Sequence, residues 1–286
     1  MYRRHDGERG VSWDRFKNGL PSEALHFDGA IFDMDGVITK TAVIHFAAWK
    51  KTFDAYLRRS DAEYDASFRE FTHSDYLAFV DGRPRYEGVT AFLRSRGRDL
   101  PFGDPKDEPN CESICGLGNR KDELLNRMLE EDGVEVFDST IALIEQLLRN
   151  GVKVGVATSS KNGALVLEKA GITELIGASV DGLVSAQLGL KGKPEPDIFV
   201  AACDRLGVEH HRTMIVEDAT CGVQAGAKGR FGLILGVARQ NNAEELRRHG
   251  ADLVVSDLSQ ISLCEIDRWF ESKHGNLVSA CLASTR

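Results

Sequence analysis

The sequence predicts an α/β fold: a parallel, doubly wound sheet interrupted after its first strand by an all-helical insertion. Three observations predict it. From Ser139 onward, β-branched runs of strand length alternate with helical stretches, the pattern of βαβ units packed into a sheet covered on both faces. One strand stands far ahead of that alternation, at residues 28–32, while residues 60–133 carry aromatic and charged residues and turn signals but no β pattern. The chain has 286 residues, and at about 150 per domain this is enough for a core carrying a smaller module.

The elements follow in order. Residues 28–32 (DGAIF) form the first strand and run into Asp33-Met34-Asp35-Gly36. In residues 42–57, apolar Ile44, Ala47, Ala48, Tyr56 and Leu57 fall at helical spacing with Lys50 and Lys51 outward, an amphipathic helix. Turn signals then punctuate the insertion at Asp81-Gly82-Arg83-Pro84, Gly103-Asp104-Pro105 and Gly116-Leu117-Gly118-Asn119. A helix over 140–149 ends at Asn150-Gly151, where glycine suits the left-handed residue after a helix. Strand 152–157, helix 162–169 stopped by Gly171, a helix after Pro194 and Pro196, strand 213–216, helix 220–228, and strands 232–237 and 252–255 complete the alternation. From Lys273 the chain reads as a loose tail.

Composition removes several function classes. Lys and Arg number 36 against 44 Asp and Glu, so the net charge is −8 and the pI 5.6, which offers no electrostatic footprint for a nucleic acid. With 42% hydrophobic residues and mean hydropathy −0.26, no apolar run approaches the roughly 20 residues of a membrane span. The basic start, MYRRHDGERGVSWDRF, lacks the apolar stretch of a secretory signal, so a cytoplasmic location is expected. Cys111, Cys115, Cys203, Cys221, Cys264 and Cys281 are scattered without metal-ligand spacing and are expected to be free thiols.

In a doubly wound sheet ligands bind beyond the carboxyl ends of the strands. Three strands end in suitable residues: Asp33 and Asp35 follow the first, Thr158-Ser159-Ser160 the second, and Glu217-Asp218 a later one, so the three clusters should share one crevice. Crowded carboxylates call for a hard cation such as Mg²⁺, which takes oxygen ligands and accepts phosphate oxygens. A phosphate also wants hydroxyls, a helix start and a point charge, supplied by Thr158, Ser159, residues 161–163 and Lys193. The spacing thus proposes magnesium-dependent phosphoryl transfer, with one of Asp33 and Asp35 attacking phosphorus and the other moving protons. Taken alone, Asp-x-Asp-Gly is equally a loop composition, and His45 and Trp49, one helical turn apart, read first as a packing pair. Arg85 and Lys121 in polar stretches read as solvated charges. Lys193 in KGKPEPDIF stands apart, because a cation at the start of a helix is disfavoured unless an anion sits there.

These segments resemble the four motifs of the haloacid dehalogenase superfamily: FDMDGVITKT the first, VATSS the second, Lys193 the third and IVEDATCGVQAG the fourth, in order over more than 180 residues. The resemblance implies a Rossmann-like core over residues 1–40 and 135–286, and a helical cap over 41–134 that closes over the crevice. It implies that Asp33 is the nucleophile and Asp35 the general acid and base. Mg²⁺ would be held by Asp33, the carbonyl of Asp35 and Asp218, with Glu217 in or beside the shell, while Thr158 and Lys193 bind the phosphoryl oxygens. Asp at position 35 does not fit the dehalogenase or phosphonate-cleaving branches.

Within the superfamily the chain resembles the β-phosphoglucomutase-like subfamily. TKTAVIHFAAWK resembles its linker and first cap helix, which implies roles for Thr41, His45 and Trp49; VDGRPRYEGV resembles its substrate-reading loop, with Arg85 for a remote phosphate. GNRKDEL implies sugar contact by Lys121, and ATSSKNG adds Ser160, Lys161 and Asn162 near the phosphates. Lys40 stands where Asp is usual, Gly88 where a hydroxyl would help, and the cap has extra residues around 97–115, which bears on substrate choice more than on chemistry. The expectation is a monomeric enzyme acting on a small phosphorylated sugar, a mutase through a sugar bisphosphate. A sugar-phosphate phosphatase is the alternative, and a binding protein without turnover a remoter one.

Overall fold

The computed structural model describes residues 25–63 and 68–283; the stretch read for a targeting signal lies outside them. Six parallel strands, β1 (Gly29–Phe32), β2 (Lys153–Ala157), β3 (Ala178–Val180), β4 (Thr213–Glu217), β5 (Leu233–Val237) and β6 (Leu253–Val255), lie in the order β3-β2-β1-β4-β5-β6. The register sets Phe32 level with both Val156 and Val216, so β1, β2 and β4 end along one edge. The backbone N–H of Asp33 still donates to the Val216 carbonyl at 2.9 Å, which fixes the first residue beyond β1.

The insertion between β1 and β2 is helical, as the missing β pattern predicts. It comprises α1 (Thr41–Glu63), α2 (His73–Asp75) running into a π-helical turn over Tyr76–Val80, α3 (Arg85–Ser95) and α4 (Ile114–Asp132). Two caps start its helices where side-chain oxygens meet free amides: Thr72 and Asp75 cap each other's backbones at α2, and Ser113 Oγ accepts from Gly116 N at 2.9 Å at α4. Trp49, Phe53, Phe71, Phe92, Leu93 and Leu117 build a hydrophobic cluster of the insertion's own. Phe53, Phe71 and Phe92 are fully enclosed, each worth roughly 1.5–3 kcal/mol of burial. The chain enters and leaves the insertion side by side: Lys40 N donates to Glu135 O and Phe137 N to Ile38 O, both at 2.9 Å, around an antiparallel bridge between Thr39 and Val136.

The remaining helices, α5 (Asp138–Arg149), α6 (Gly163–Lys169), α7 (Gly182–Leu188), α8 (Asp197–Leu206), α9 (Thr220–Lys228), α10 (Ala243–Arg248) and α11 (Leu263–Ala283), flank the sheet. Strand alternation divides the core between the two faces. Ala30, Phe32, Val154, Val156 and Val216 pack with Leu143, Ile144 and Leu147 of α5, whereas Ile31 and Ile215 pack with Ile198, Phe199 and Ala202 of α8. Two expectations need correction. The tail read as loose from Lys273 continues α11 as far as Ala283, and β3, α7 and α10, absent from the sequence reading, extend the alternation. No helix among the described residues is long and apolar enough to cross a membrane, and Cys111, Cys115, Cys203, Cys221 and Cys264 are free.

Candidate active site

The level strand ends bring Asp33 from β1, Thr158 from β2 and Glu217-Asp218 from β4 to one edge, and the insertion roofs them. Asp33, Glu217 and Asp218 are buried, and one carboxylate oxygen from each lies within 4.8 Å of the others. Burial raises the carboxyls of Asp33 and Asp218 well above their ordinary range; Glu217 and Asp35 push Asp33 further up, and Asp81 and Glu217 do so for Asp218. Within this group Lys193, wholly enclosed, is the one ammonium, 2.5 Å from both Asp33 Oδ1 and Glu217 Oε1. Burial would lower its pKa, but the two carboxylates outweigh burial and raise it. Three buried acids against one cation fit a hard divalent ion, which would let Asp33 and Asp218 ionise.

Glu217, a member of that group, is also engaged elsewhere. Its Oε1 takes Lys193 and its Oε2 accepts the Ala219 N–H at 2.9 Å, so its oxygens are committed to holding the lysine and the turn. The space around it is tight: a Cβ on Gly222 would come 1.7 Å from Glu217 Oε1. Gly36 is needed for two reasons, a φ of +86° and an approach that would set a Cβ 1.9 Å from Asp218 Oδ2.

Asp35 lies outside this cluster. Its carboxylate accepts hydrogen bonds from the hydroxyls of Thr41 and, at 3.4 Å, Thr158. Thr41 is therefore behind Asp35, holding it, and off the cavity wall. His45 Nε2 faces Asp35 Oδ1 at 3.5 Å, while its Nδ1 lies 3.1 Å from Lys121 Nζ. A donating ammonium at Nδ1 leaves the ring proton on Nε2, which is buried and makes no hydrogen bond at its distance from Asp35. Burial, then the Lys121 charge, lowers His45 to about 4, so the ring is neutral; burial, then Arg85, lowers Lys121 to about 7. Trp49 stacks on Phe53, ring centroids 5.0 Å apart, and Lys121 Nζ lies 5.1 Å from the Trp49 ring centroid.

The cavity is walled by Asp33, Asp35, Asp218, Thr158, Ser159, Ser160 and Lys161 from the core and by His45, Trp49, Arg85 and Lys121 from the insertion. Several expected contacts are already engaged within the protein. Ser159 Oγ donates to the Gly82 carbonyl at 2.8 Å and so ties the core to the insertion's loop, and Cys221 Sγ reaches the Asp81 carbonyl at 3.3 Å beside it. Asn162 is off the wall and donates from Nδ2 to Asp122 Oδ1 at 2.9 Å; the same oxygen lies 2.5 Å from Arg85 Nη2. Lys161 Nζ lies 5.0 Å from the Tyr86 ring centroid.

Sequence reasoning missed Tyr76, Asp81, Arg83 and Asp122, all on the cavity wall. Burial and the charges of Glu217 and Asp35 push Asp81 up to about 7 despite a hydrogen bond with Tyr76. The signal was adjacency: Asp81 and Arg83 sit in the VDGRP turn and Asp122 directly follows Lys121.

Comparison with known proteins agrees with this geometry. Residues 27–230 match the haloacid dehalogenase-like hydrolase family. The chain is 40% identical over 247 residues to a β-phosphoglucomutase of Mycobacterium bovis, covering 85% of this chain and 93% of that one. It is 26% identical over 235 residues to a validoxylamine A 7'-phosphate phosphatase of Streptomyces hygroscopicus subsp. limoneus, covering 81% and 94%. A crystal structure of β-phosphoglucomutase from Clostridium difficile shares the fold, with a TM-score of 0.69 at 23% identity over 86% of this chain and 98% of that one. With three motifs at the predicted strand ends and Lys193 of the remaining one bound to Asp33, the chain belongs to the haloacid dehalogenase superfamily, in its β-phosphoglucomutase-like branch of sugar-phosphate enzymes.

Proposed function

We propose that this protein is a β-phosphoglucomutase, interconverting β-D-glucose 1-phosphate and glucose 6-phosphate through phospho-Asp33 and glucose 1,6-bisphosphate. The carrying observation is a cavity whose wall combines Asp33, backed by Lys193, and Thr158 with the cationic side chains Arg85, Lys121 and Lys161. A mutase needs a place for each phosphate of its bisphosphate. The 40% identity with the mycobacterial enzyme over most of both chains supports the reading.

Asp33 and Asp218, with the carbonyl of Asp35, would hold Mg²⁺, and Glu217 would act from behind through Lys193. The ion, when bound, neutralises charge that builds on the transferring phosphoryl group. Phospho-Asp33 gives its phosphoryl group to the sugar's 6-hydroxyl, whose proton passes to Asp35 as the new P–O bond forms and the aspartyl bond breaks. The bisphosphate then presents its 1-phosphate. Asp33 attacks that phosphorus, the bond to the C1 oxygen breaks, and Asp35 returns the proton to the leaving oxygen, releasing glucose 6-phosphate. Thr41 and Thr158 orient Asp35 for both transfers, while Lys193 stabilises the charge on Asp33 and the phosphoryl oxygens.

One assay tests this: supply β-glucose 1-phosphate with Mg²⁺ and a trace of the bisphosphate, then quantify glucose 6-phosphate and free phosphate together. Glucose 6-phosphate well in excess of free phosphate is expected. The reverse ratio would favour the phosphatase, in which water attacks phospho-Asp33, and the likeness to the Streptomyces phosphatase gives that outcome a precedent. No aspartyl-phosphate burst with acetyl phosphate would leave only a binding role.

A further inference from the structure

The remote end of the cavity holds a carboxylate that an anion-binding site should not want. Asp122 Oδ1 lies 2.5 Å from Arg85 Nη2 and also accepts from Asn162 Nδ2 at 2.9 Å, so one oxygen joins α3, α4 and the core residue ahead of α6. Arg85 and Asp122 have side-chain exposures of 12% and 24%, so their attraction is only partly screened by water. Around this oxygen stand three cations. Arg85 lowers the pKa of both Lys121 and Lys161, after burial, and Asp122 opposes that effect on both. Without Asp122, Arg85, Lys161 and, when protonated, Lys121 would share one region of the cavity wall without a counter-charge.

We propose that Asp122 is a positioning residue for Arg85 and the residue that limits how tightly the remote end holds an anionic group. This rests on the mutase reading above. The contact through Nη2 draws the guanidinium to the Asp122 side, with the Tyr86 hydroxyl as a further partner. At the same time the carboxylate cancels one of the cation charges, so a phosphate arriving there meets a site already part neutralised. A mutase must let its bisphosphate leave that end and turn round, which a fully cationic pocket would oppose. Charge and position can be separated by substitution. Asp122→Asn keeps an oxygen to accept from Asn162 and Arg85 but removes the negative charge, leaving Arg85 short of a counter-ion that a ligand phosphate then provides. Asp122→Ala removes the anchor as well.

The test is calorimetric titration of glucose 1,6-bisphosphate into Mg²⁺-free protein, where turnover does not intervene, together with steady-state kinetics in Mg²⁺. Asp122→Asn is expected to tighten bisphosphate binding by about fivefold, the scale of one charge in a part-screened site, and to lower KM and kcat for the mutase reaction together. Asp122→Ala is expected to weaken binding and raise KM, because Arg85 is no longer held. For acetyl phosphate, which has no remote group, the change in KM should be smaller than for the bisphosphate. Unchanged or weaker bisphosphate binding by a folded Asp122→Asn would overturn the charge role, and equal shifts for both phosphates would reduce Asp122 to a structural link. Wild-type protein that binds no bisphosphate would overturn the mutase reading itself, a result distinct from either.

Discussion

The Nζ of Lys121 lies 3.1 Å from Nδ1 of His45, an ammonium donating to a ring held neutral by burial and by that same ammonium. Because burial and Arg85 bring Lys121 to about 7, its charge changes within the working range of an enzyme. Below pH 7 the group is charged and attracts an anionic sugar phosphate; above, the neutral amine loses that attraction. KM for β-glucose 1-phosphate should therefore rise by up to about tenfold between pH 6 and 8.5, the scale of one charge-assisted hydrogen bond. A Lys121→Met variant should show a high KM throughout and no step. A step of equal size in that variant would place the titration elsewhere.

Asp35→Asn should separate proton transfer from metal binding. The amide keeps an oxygen for the hydroxyls of Thr41 and Thr158 but no longer accepts or returns a proton. We expect kcat to fall by roughly 10² to 10⁴. The Mg²⁺ titration should stay near wild type, since the Asp35 side chain stands apart from the group of Asp33, Glu217 and Asp218. Loss of Mg²⁺ binding would make the Asp35 carboxylate a ligand.

Arg85→Ala should discriminate between substrates with and without a second phosphate. Mutase flux is expected to drop by at least about tenfold, the equivalent of roughly 1.4 kcal/mol, and acetyl phosphate hydrolysis by much less. Equal losses would assign Arg85 to folding of the insertion, for which its contact with Asp122 gives a route.

Lys193→Met would leave Asp33 and Glu217 facing each other without their shared cation. Breaking a buried pair by removing one partner costs about 3–5 kcal/mol. Melting in Mg²⁺-free buffer should fall by roughly 10 °C at neutral pH. The deficit should narrow on acidification, because the Asp33 carboxyl, already raised well above its ordinary range, then takes up a proton and ceases to repel Glu217. A deficit that stays constant with pH would mean that the lost packing against Phe199, whose ring centroid is 4.9 Å from Nζ, dominates.

Elements with an intense local pattern were legible in the sequence: β1, β2, β4 and β5 are enclosed apolar runs, and the polar continuations of the first three carry the core residues of the site. β3 escaped because its three residues, Ala178–Val180, include two only partly buried, too short a run to show a period. The helix α11 escaped because polar residues such as Glu265, Asp267, Arg268 and Lys273 share its turns with Ile266 and Phe270, whose burial depends on the sheet beneath. In the site, Asp33, Thr158, Lys193 and Asp218 follow from strand ends and motif order. Asp81 and Asp122 do not, because their importance arises where two parts of the chain meet. The Cys221 contact to Asp81 spans 140 residues and the Asn162 contact to Asp122 spans 40, and neither has a local signature.

The two paired segments that carry the chain into and out of the insertion, bridged at Thr39 and Val136, also define a mechanical joint. A single connecting thread would act as a swivel, free to turn about every axis. Two threads laced together at Lys40–Glu135 and Ile38–Phe137 resist twisting and leave chiefly one direction of bending, as a strap hinge does on a door. His45, Trp49, Arg85 and Lys121 all belong to the leaf that this joint carries, whereas Asp33 belongs to the frame. A swing of the insertion about this joint would carry those four side chains toward Asp33 along one repeatable arc, set by backbone far from the site.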